Sequence, residues 1–124
     1  MKKTIAVDLD GTIARYTSWK GIHNIGEPIV GARDFLQKLS EFANILIYTT
    51  RSNAEVNKLY ISELKEILVN YLNSYNLKYD DIWVGQGKPV CAAIVDDRAI
   101  SCRPQVILHE YSRVLNECLE FVRD

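Results

Sequence analysis

The sequence predicts an α/β fold built on a parallel sheet covered on both faces by helices. Short apolar runs rich in β-branched residues alternate with longer segments whose apolar residues recur at helical spacing. Several of those short runs end abruptly in Asp or Thr, as strands do when they stop at a sheet edge that carries chemistry. Thr4-Ile5-Ala6-Val7 is the first strand, and Gly11 is where the chain turns away from it. Residues 13 to 27 lack clear periodicity and hold Trp19, Gly21 and Gly26, so they read as an irregular segment. Pro28 precedes a helical stretch marked by Val30, Phe35, Leu36, Leu39 and Phe42. A second strand runs from Asn44 to Thr49. Ser52 or Asn53 then caps a long amphipathic helix carrying Val56, Leu59, Leu64, Ile67, Leu68, Tyr71, Leu72 and Tyr75. Ile82-Trp83-Val84 is a short third strand, Ala92 to Val95 a fourth, and Ile100-Ser101-Cys102 a short edge strand before Pro104. Val106, Ile107, Val114, Leu115, Cys118, Leu119 and Val122 mark a closing helix.

The first strand ends in Asp8-Leu9-Asp10-Gly11-Thr12. Alternate residues of a strand share a face, so Asp8 and Asp10 can both reach one site if strand geometry persists that far. One carboxylate can then attack while the other moves protons. Two anions held so close repel each other and invite a divalent or anchoring cation. An acidic pair also occurs in turns with no chemistry attached, so the pair gains meaning only from the rest of the chain.

Three further segments supply that context. Asn44-Ile45-Leu46-Ile47-Tyr48-Thr49-Thr50-Arg51 is an apolar strand ending in hydroxyls, where Thr49 and the backbone N–H of Thr50 can donate to a phosphoryl oxygen. The two threonines can exchange these roles, and β-branched residues also finish strands with no chemistry. Gly87-Lys88-Pro89 places an ammonium just upstream of Ala92-Ala93-Ile94-Val95-Asp96-Asp97-Arg98. Two adjacent aspartates after four apolar residues are costly at a buried strand end unless they hold a cation.

In this order the four segments resemble the signatures of the haloacid dehalogenase-like (HAD) hydrolases, made up mostly of magnesium-dependent phosphatases. The resemblance spans residues 5 to 97. It implies a Rossmann-like parallel sheet of about five strands flanked by helices, with Mg²⁺ as cofactor. It also implies Asp8 as nucleophile, Asp10 as acid and base, and Thr49 and Lys88 as catalytic groups on the phosphoryl. Asp8, Asp10 (through its backbone carbonyl), Asp96 and Asp97 form the implied metal site. The activity implied is hydrolysis of phosphomonoesters through an aspartyl-phosphate. Two other outcomes of the same motif set are a phosphate-binding or regulatory module with little turnover, and a phosphotransferase to an acceptor other than water.

Many relatives insert a cap domain between signatures, and neither gap here has room for one. What remains is a flap of roughly residues 13 to 27 over a comparatively open site. Arg15, Tyr16, Trp19 and His23 are the flap's candidates for substrate contact. Arg51 and Arg98 follow catalytic positions, where each can touch phosphate or pair with the aspartates. Thr49, Thr50, Arg51, Lys88, Arg15 and Trp19 make up the expected substrate-binding set. An open site also favours a large substrate acting as its own lid, or a homo-oligomer whose neighbour covers it.

Composition fits one domain over residues 1–124: 48% of residues are hydrophobic, with no low-complexity tract or repeat. Fifteen Lys and Arg against 16 Asp and Glu leave a net charge of −1, without the basic face that nonspecific nucleic-acid binding needs. A phosphorylated small molecule is therefore the expected substrate, with a phosphate-ended oligonucleotide as the alternative. The apolar run after Met1-Lys2-Lys3 stops at Asp8, too soon for a signal sequence, and no stretch reaches membrane-spanning length. A cytoplasmic location without a membrane partner is expected. Cys91, Cys102 and Cys118 are odd in number and lack metal-ligand spacing, so they read as reduced thiols. His23 and His109 are too far apart to suggest zinc.

Overall fold

In the computed structural model, which describes residues 2–85 and 87–123, the first apolar run forms strand β1, Lys3–Val7. Helix α1 (Ala32–Leu39), β2 (Ala43–Ile47), a 3₁₀ turn (Thr50–Ser52), α2 (Ala54–Asn57) and α3 (Ile61–Ser74) follow. Then come β3 (Asp81–Ile82), β4 (Ala93–Val95) and α4 (Glu110–Val122). The strands form one sheet in the order β3-β2-β1-β4, with every pairing parallel. This is the expected Rossmann-like arrangement of a parallel sheet flanked by helices, with four strands rather than about five. No described helix is long and apolar enough to cross a membrane.

The missing strand is the one expected at 100–102. Within it the Ser101 carbonyl already accepts from Arg113, and just beyond it the Arg103 N–H donates to Glu110 Oε2 at 3.0 Å. The single long helix expected after Asn53 is also broken. Asn53 does cap α2, its Oδ1 accepting from the N–H groups of Glu55 and Val56. The Asn57 side chain then donates to the carbonyls of Thr50, Arg51 and Asn53. Lys58 adopts a left-handed conformation at φ 61°, and the helix restarts at Ile61. A side chain that competes for backbone acceptors ends a helix that hydrophobic spacing alone would continue.

The core gathers on one face of the sheet. Val7 on β1, Ala43, Ile45 and Ile47 on β2, and Ile82 on β3 pack with Leu36 and Leu39 of α1 and with Leu68, Tyr71 and Leu72 of α3. The irregular segment contributes Ile13 and Ala14 to the same core, so the flap is anchored at its root. On the opposite face, Ile94, Ala6 and Leu46 stand side by side across β4, β1 and β2. Ala6 is fully buried between its neighbours, while Leu46 and Ile94 are partly buried. The closing helix begins at Glu110 and leaves its apolar residues in solvent, so the expected cover of the second face is not in place.

Candidate active site

Parallel strands align their carboxyl ends, and here that geometry brings the separated motifs together. The Asp8 N–H donates to the Val95 carbonyl at 2.9 Å, and the Tyr48 N–H to the Val7 carbonyl at 2.9 Å. The ends of β1, β2 and β4 are thereby held at one level. Carboxylate oxygens of Asp8, Asp96 and Asp97 lie within 4.8 Å of one another. Burial, with the charges of Asp96, Asp97 and Asp10 adding to it, pushes the Asp8 carboxyl up to about 7.

The turn after β1 is fixed by the Leu9 carbonyl, which accepts from the N–H groups of Thr12, Ile13 and Ala14. Gly11 sits at φ 83°, and a Cβ there would fall on the Asp97 carboxylate. Glycine is thus needed both for the backbone conformation and for the approach of the metal-type carboxylate.

Asp10 departs from the cluster. Its Oδ2 accepts from Arg51 Nε at 2.7 Å, while its Oδ1 is buried with no partner among the described residues. Arg51 is 1% exposed. Its other nitrogens donate to the flap carbonyls of Gly21, Ile22 and Asn24 at 3.2–3.4 Å, and Trp19 lies over it with the guanidinium carbon 4.7 Å from the ring centroid. Tyr71 adds a bond to the Gly26 carbonyl at 2.7 Å. The flap is therefore pinned by one buried arginine and one buried tyrosine.

A cavity of about 390 Å³ opens over these groups. Asp8, Asp10, Asp96, Thr49, Thr50 and Arg98 line it on the polar side, and Tyr16, Trp19, Tyr48 and Trp83 supply aromatic walls. Thr49 is buried and its Oγ1 accepts from the Arg51 N–H at 3.2 Å, which leaves the hydroxyl proton free to donate toward the cavity. Thr50 lines the cavity beside it.

Three expected contacts are not brought to this cavity. Lys88 is exposed and outside its lining, although Gly87 belongs to it. The cation in the lining is Arg98, while Arg51 lies buried behind Asp10. Arg15 pairs with Glu27 at 3.6 Å on the outer side of the flap. His23 lines a separate depression with Ile67, Asn70 and Tyr71. Arg51 settles into the aspartate-pairing role, and Arg98 reaches Asp97 at 3.8 Å.

The sequence reading did not single out Tyr48 and Trp83 as wall residues. Their signal was their place at strand ends: Trp83 follows β3, and its N–H donates to the Ile47 carbonyl at 2.8 Å. Its indole N–H reaches the Gly87 carbonyl at 3.2 Å, and a Cβ on Gly85 would collide with its ring. Trp83 thus organises the loop that precedes β4.

The donor set suits Mg²⁺, which prefers hard oxygen ligands at about 2.1 Å and so spans about 4.2 Å between opposite ligands. A spread of 4.8 Å closes to that with a small side-chain movement. The raised Asp8 pKa and the unpartnered Asp10 oxygen mark a site whose negative charge is under-compensated by protein alone.

The chain matches no protein-family model and no curated protein. Among solved structures it resembles a conserved protein from Bacteroides thetaiotaomicron, at 22% identity over 98% of this chain and 93% of that one, with a TM-score of 0.57. It also resembles a structural-genomics target from Vibrio cholerae, at 22% identity over 93% of this chain and 98% of that one, with a TM-score of 0.51. At this identity the likeness is one of fold.

Proposed function

We propose that this protein is a magnesium-dependent phosphatase that hydrolyses phosphomonoesters through an aspartyl-phosphate on Asp8. The observation that carries the reading is the convergence of Asp8, Asp96 and Asp97 oxygens within 4.8 Å at the carboxyl ends of adjacent parallel strands, under a cavity. The motif resemblance to the HAD hydrolases supports it independently of the coordinates.

Asp8, Asp96 and Asp97 would hold the metal. When bound, Mg²⁺ supplies positive charge that lets Asp8 stay ionised beside its acidic neighbours and that offsets charge on the phosphoryl oxygens. Asp8 attacks phosphorus and the bond to the leaving alcohol oxygen breaks. Asp10 gives that oxygen a proton, then takes one from the water that attacks the aspartyl-phosphate, releasing inorganic phosphate and restoring Asp8. Arg51 orients Asp10 by holding Oδ2, which leaves Oδ1 for the proton transfers. Thr49 and the Thr50 N–H donate to the phosphoryl oxygens. The aromatic walls favour a ring-bearing leaving group of small-molecule size.

The test is release of phosphate from p-nitrophenyl phosphate with Mg²⁺ and with EDTA. Turnover that needs the metal supports the reading. Its absence with both this ester and a metabolite panel would favour a second reading, a phosphate-binding module. The observation on that side is the Asp10–Arg51 pair, which commits one oxygen of the proposed acid and base to the arginine that anchors the flap.

A further inference from the structure

The lining of the cavity over Asp8 extends past Thr49 and Thr50 to Asn53, a side chain that the proposed chemistry does not use. Its amide is fixed by the start of α2, where Oδ1 accepts from the N–H groups of Glu55 and Val56 at 2.9 and 3.1 Å. Those bonds identify the oxygen, because an amide nitrogen cannot accept from an N–H. Nδ2 carries two donor hydrogens and has no hydrogen-bond partner among the described residues. The two helix N–H groups are spent on Oδ1, so the donors on offer belong to the side chain alone.

Both tryptophans of the chain line the same cavity. Every polar group of Trp83 is committed. Its N–H donates to the Ile47 carbonyl at 2.8 Å, its carbonyl accepts from the Ser52 hydroxyl at 2.5 Å, and its indole N–H donates to the Gly87 carbonyl at 3.2 Å. Trp83 therefore offers a ligand only its ring surface. Trp19 is backed by the Arg51 guanidinium, 4.7 Å from the ring centroid, and is still 52% exposed. Aromatic walls beside an amide that can only donate suit a flat ring bearing carbonyl oxygens. They suit a sugar or polyol poorly, since each hydroxyl brings a proton that needs an acceptor and Asn53 Oδ1 is already spent.

We infer that Asn53 selects the leaving group: its Nδ2 donates to a carbonyl oxygen of a nucleobase held against Trp19 and Trp83, so the substrate class is the nucleoside monophosphates. Asn53 stands beyond Thr49 and Thr50 in the chain, so it meets the end of the ligand remote from phosphorus, and the ribose bridges the two ends. The inference rests on the placement of the phosphoryl group at Thr49 and Thr50 in the proposed function. Asn53 touches no reacting atom and acts through binding alone.

Equilibrium binding to the Asp8→Asn chain with Mg²⁺ tests it, since the proposed nucleophile is then absent and the ligand persists. Quenching of tryptophan fluorescence reports the site directly, because both indoles line it. Uridine 5′-monophosphate and ribose 5-phosphate differ in the base. The nucleotide should bind about 30-fold more tightly, the scale of one stacked base with one hydrogen bond. Asn53→Ser and Asn53→Asp, added to this chain, both keep a capping oxygen and lose the amide donor. Each should cut the ratio about five- to tenfold while leaving helical circular dichroism intact. Equal binding of the two ligands before these substitutions, or binding of neither, overturns the inference whatever the variants do. A ratio that survives both variants overturns it as well, since Asn53 is then only a helix cap. The phosphatase reading fails separately: selective binding without turnover of p-nitrophenyl phosphate by the wild type rejects hydrolysis alone. Metal-dependent turnover with a ratio near 1 rejects this inference alone.

Discussion

The Arg51 guanidinium binds Asp10 Oδ2 at 2.7 Å from a position only 1% exposed, and the same group bonds three flap carbonyls. One side chain therefore sets both the orientation of the proposed proton-transfer carboxylate and the position of the flap. Arg51→Ala takes their partner from the partly buried Asp10 carboxylate and from the Ile22 and Asn24 carbonyls, while the Gly21 carbonyl keeps its bond from the Asn24 N–H. It is expected to cost about 3–5 kcal/mol in urea unfolding, the scale of breaking a buried ion pair. Arg51→Lys should recover less than half, because an ammonium cannot reproduce the planar fork. A loss under about 0.5 kcal/mol, as at an ordinary surface site, would show that the flap is held elsewhere.

Asp8→Asn removes the proposed nucleophile while preserving shape. Turnover of p-nitrophenyl phosphate with Mg²⁺ should fall about 10³-fold or more, equivalent to roughly 4 kcal/mol of barrier. Thermal unfolding should stay cooperative. Wild-type turnover in this variant would remove Asp8 from the mechanism.

The pKa of Asp8 makes stability depend on pH. In the folded chain the carboxyl is raised from 3.8 to about 7, first by burial and then by its acidic neighbours. Folding thus favours the protonated form. The resulting stabilisation is complete below about pH 4 and is lost as pH rises through 7. In EDTA, the wild-type melting temperature should fall between pH 5 and pH 8, and Asp8→Asn should flatten that fall. Mg²⁺ should restore the melting temperature at pH 8, because it binds the ionised site. Scanning fluorimetry across this range checks all three; a wild-type profile in EDTA matching that of Asp8→Asn contradicts them.

Tyr16 lines the cavity from the flap and takes no part in the Arg51 network. Tyr16→Ala should raise KM about tenfold for aryl phosphates and leave KM for glycerol phosphate nearly unchanged, since only a ring loses a stacking partner. An equal rise for both substrates would assign Tyr16 to the phosphate end of the site.

The motifs at strand ends were legible because their information is local. Apolar runs specify strands, and alternation along a strand fixes which side chains share a face. Parallel pairing then brings Asp8, Thr49 and Asp96 to one edge, as expected. Local rules did not reach the paths of the loops. Lys88 is exposed outside the cavity lining and Arg15 pairs with Glu27, and spacing encodes neither outcome. The break near Lys58 and the missing strand at 100–102 came from Asn57, Glu110 and Arg113 claiming backbone groups several residues away.

The sequence by itself determined the α/β class, the first, second and fourth strands, and the meeting of the acidic motifs, because periodicity and strand alternation act over a few residues. Only the tertiary structure decided that Arg98 lines the cavity and Arg51 holds Asp10 while Lys88 stays outside, that Tyr48 and Trp83 wall the cavity, and that α4 stands off the sheet. Those outcomes depend on which distant groups satisfy buried charge and bare apolar surface, a competition resolved only when the whole chain packs.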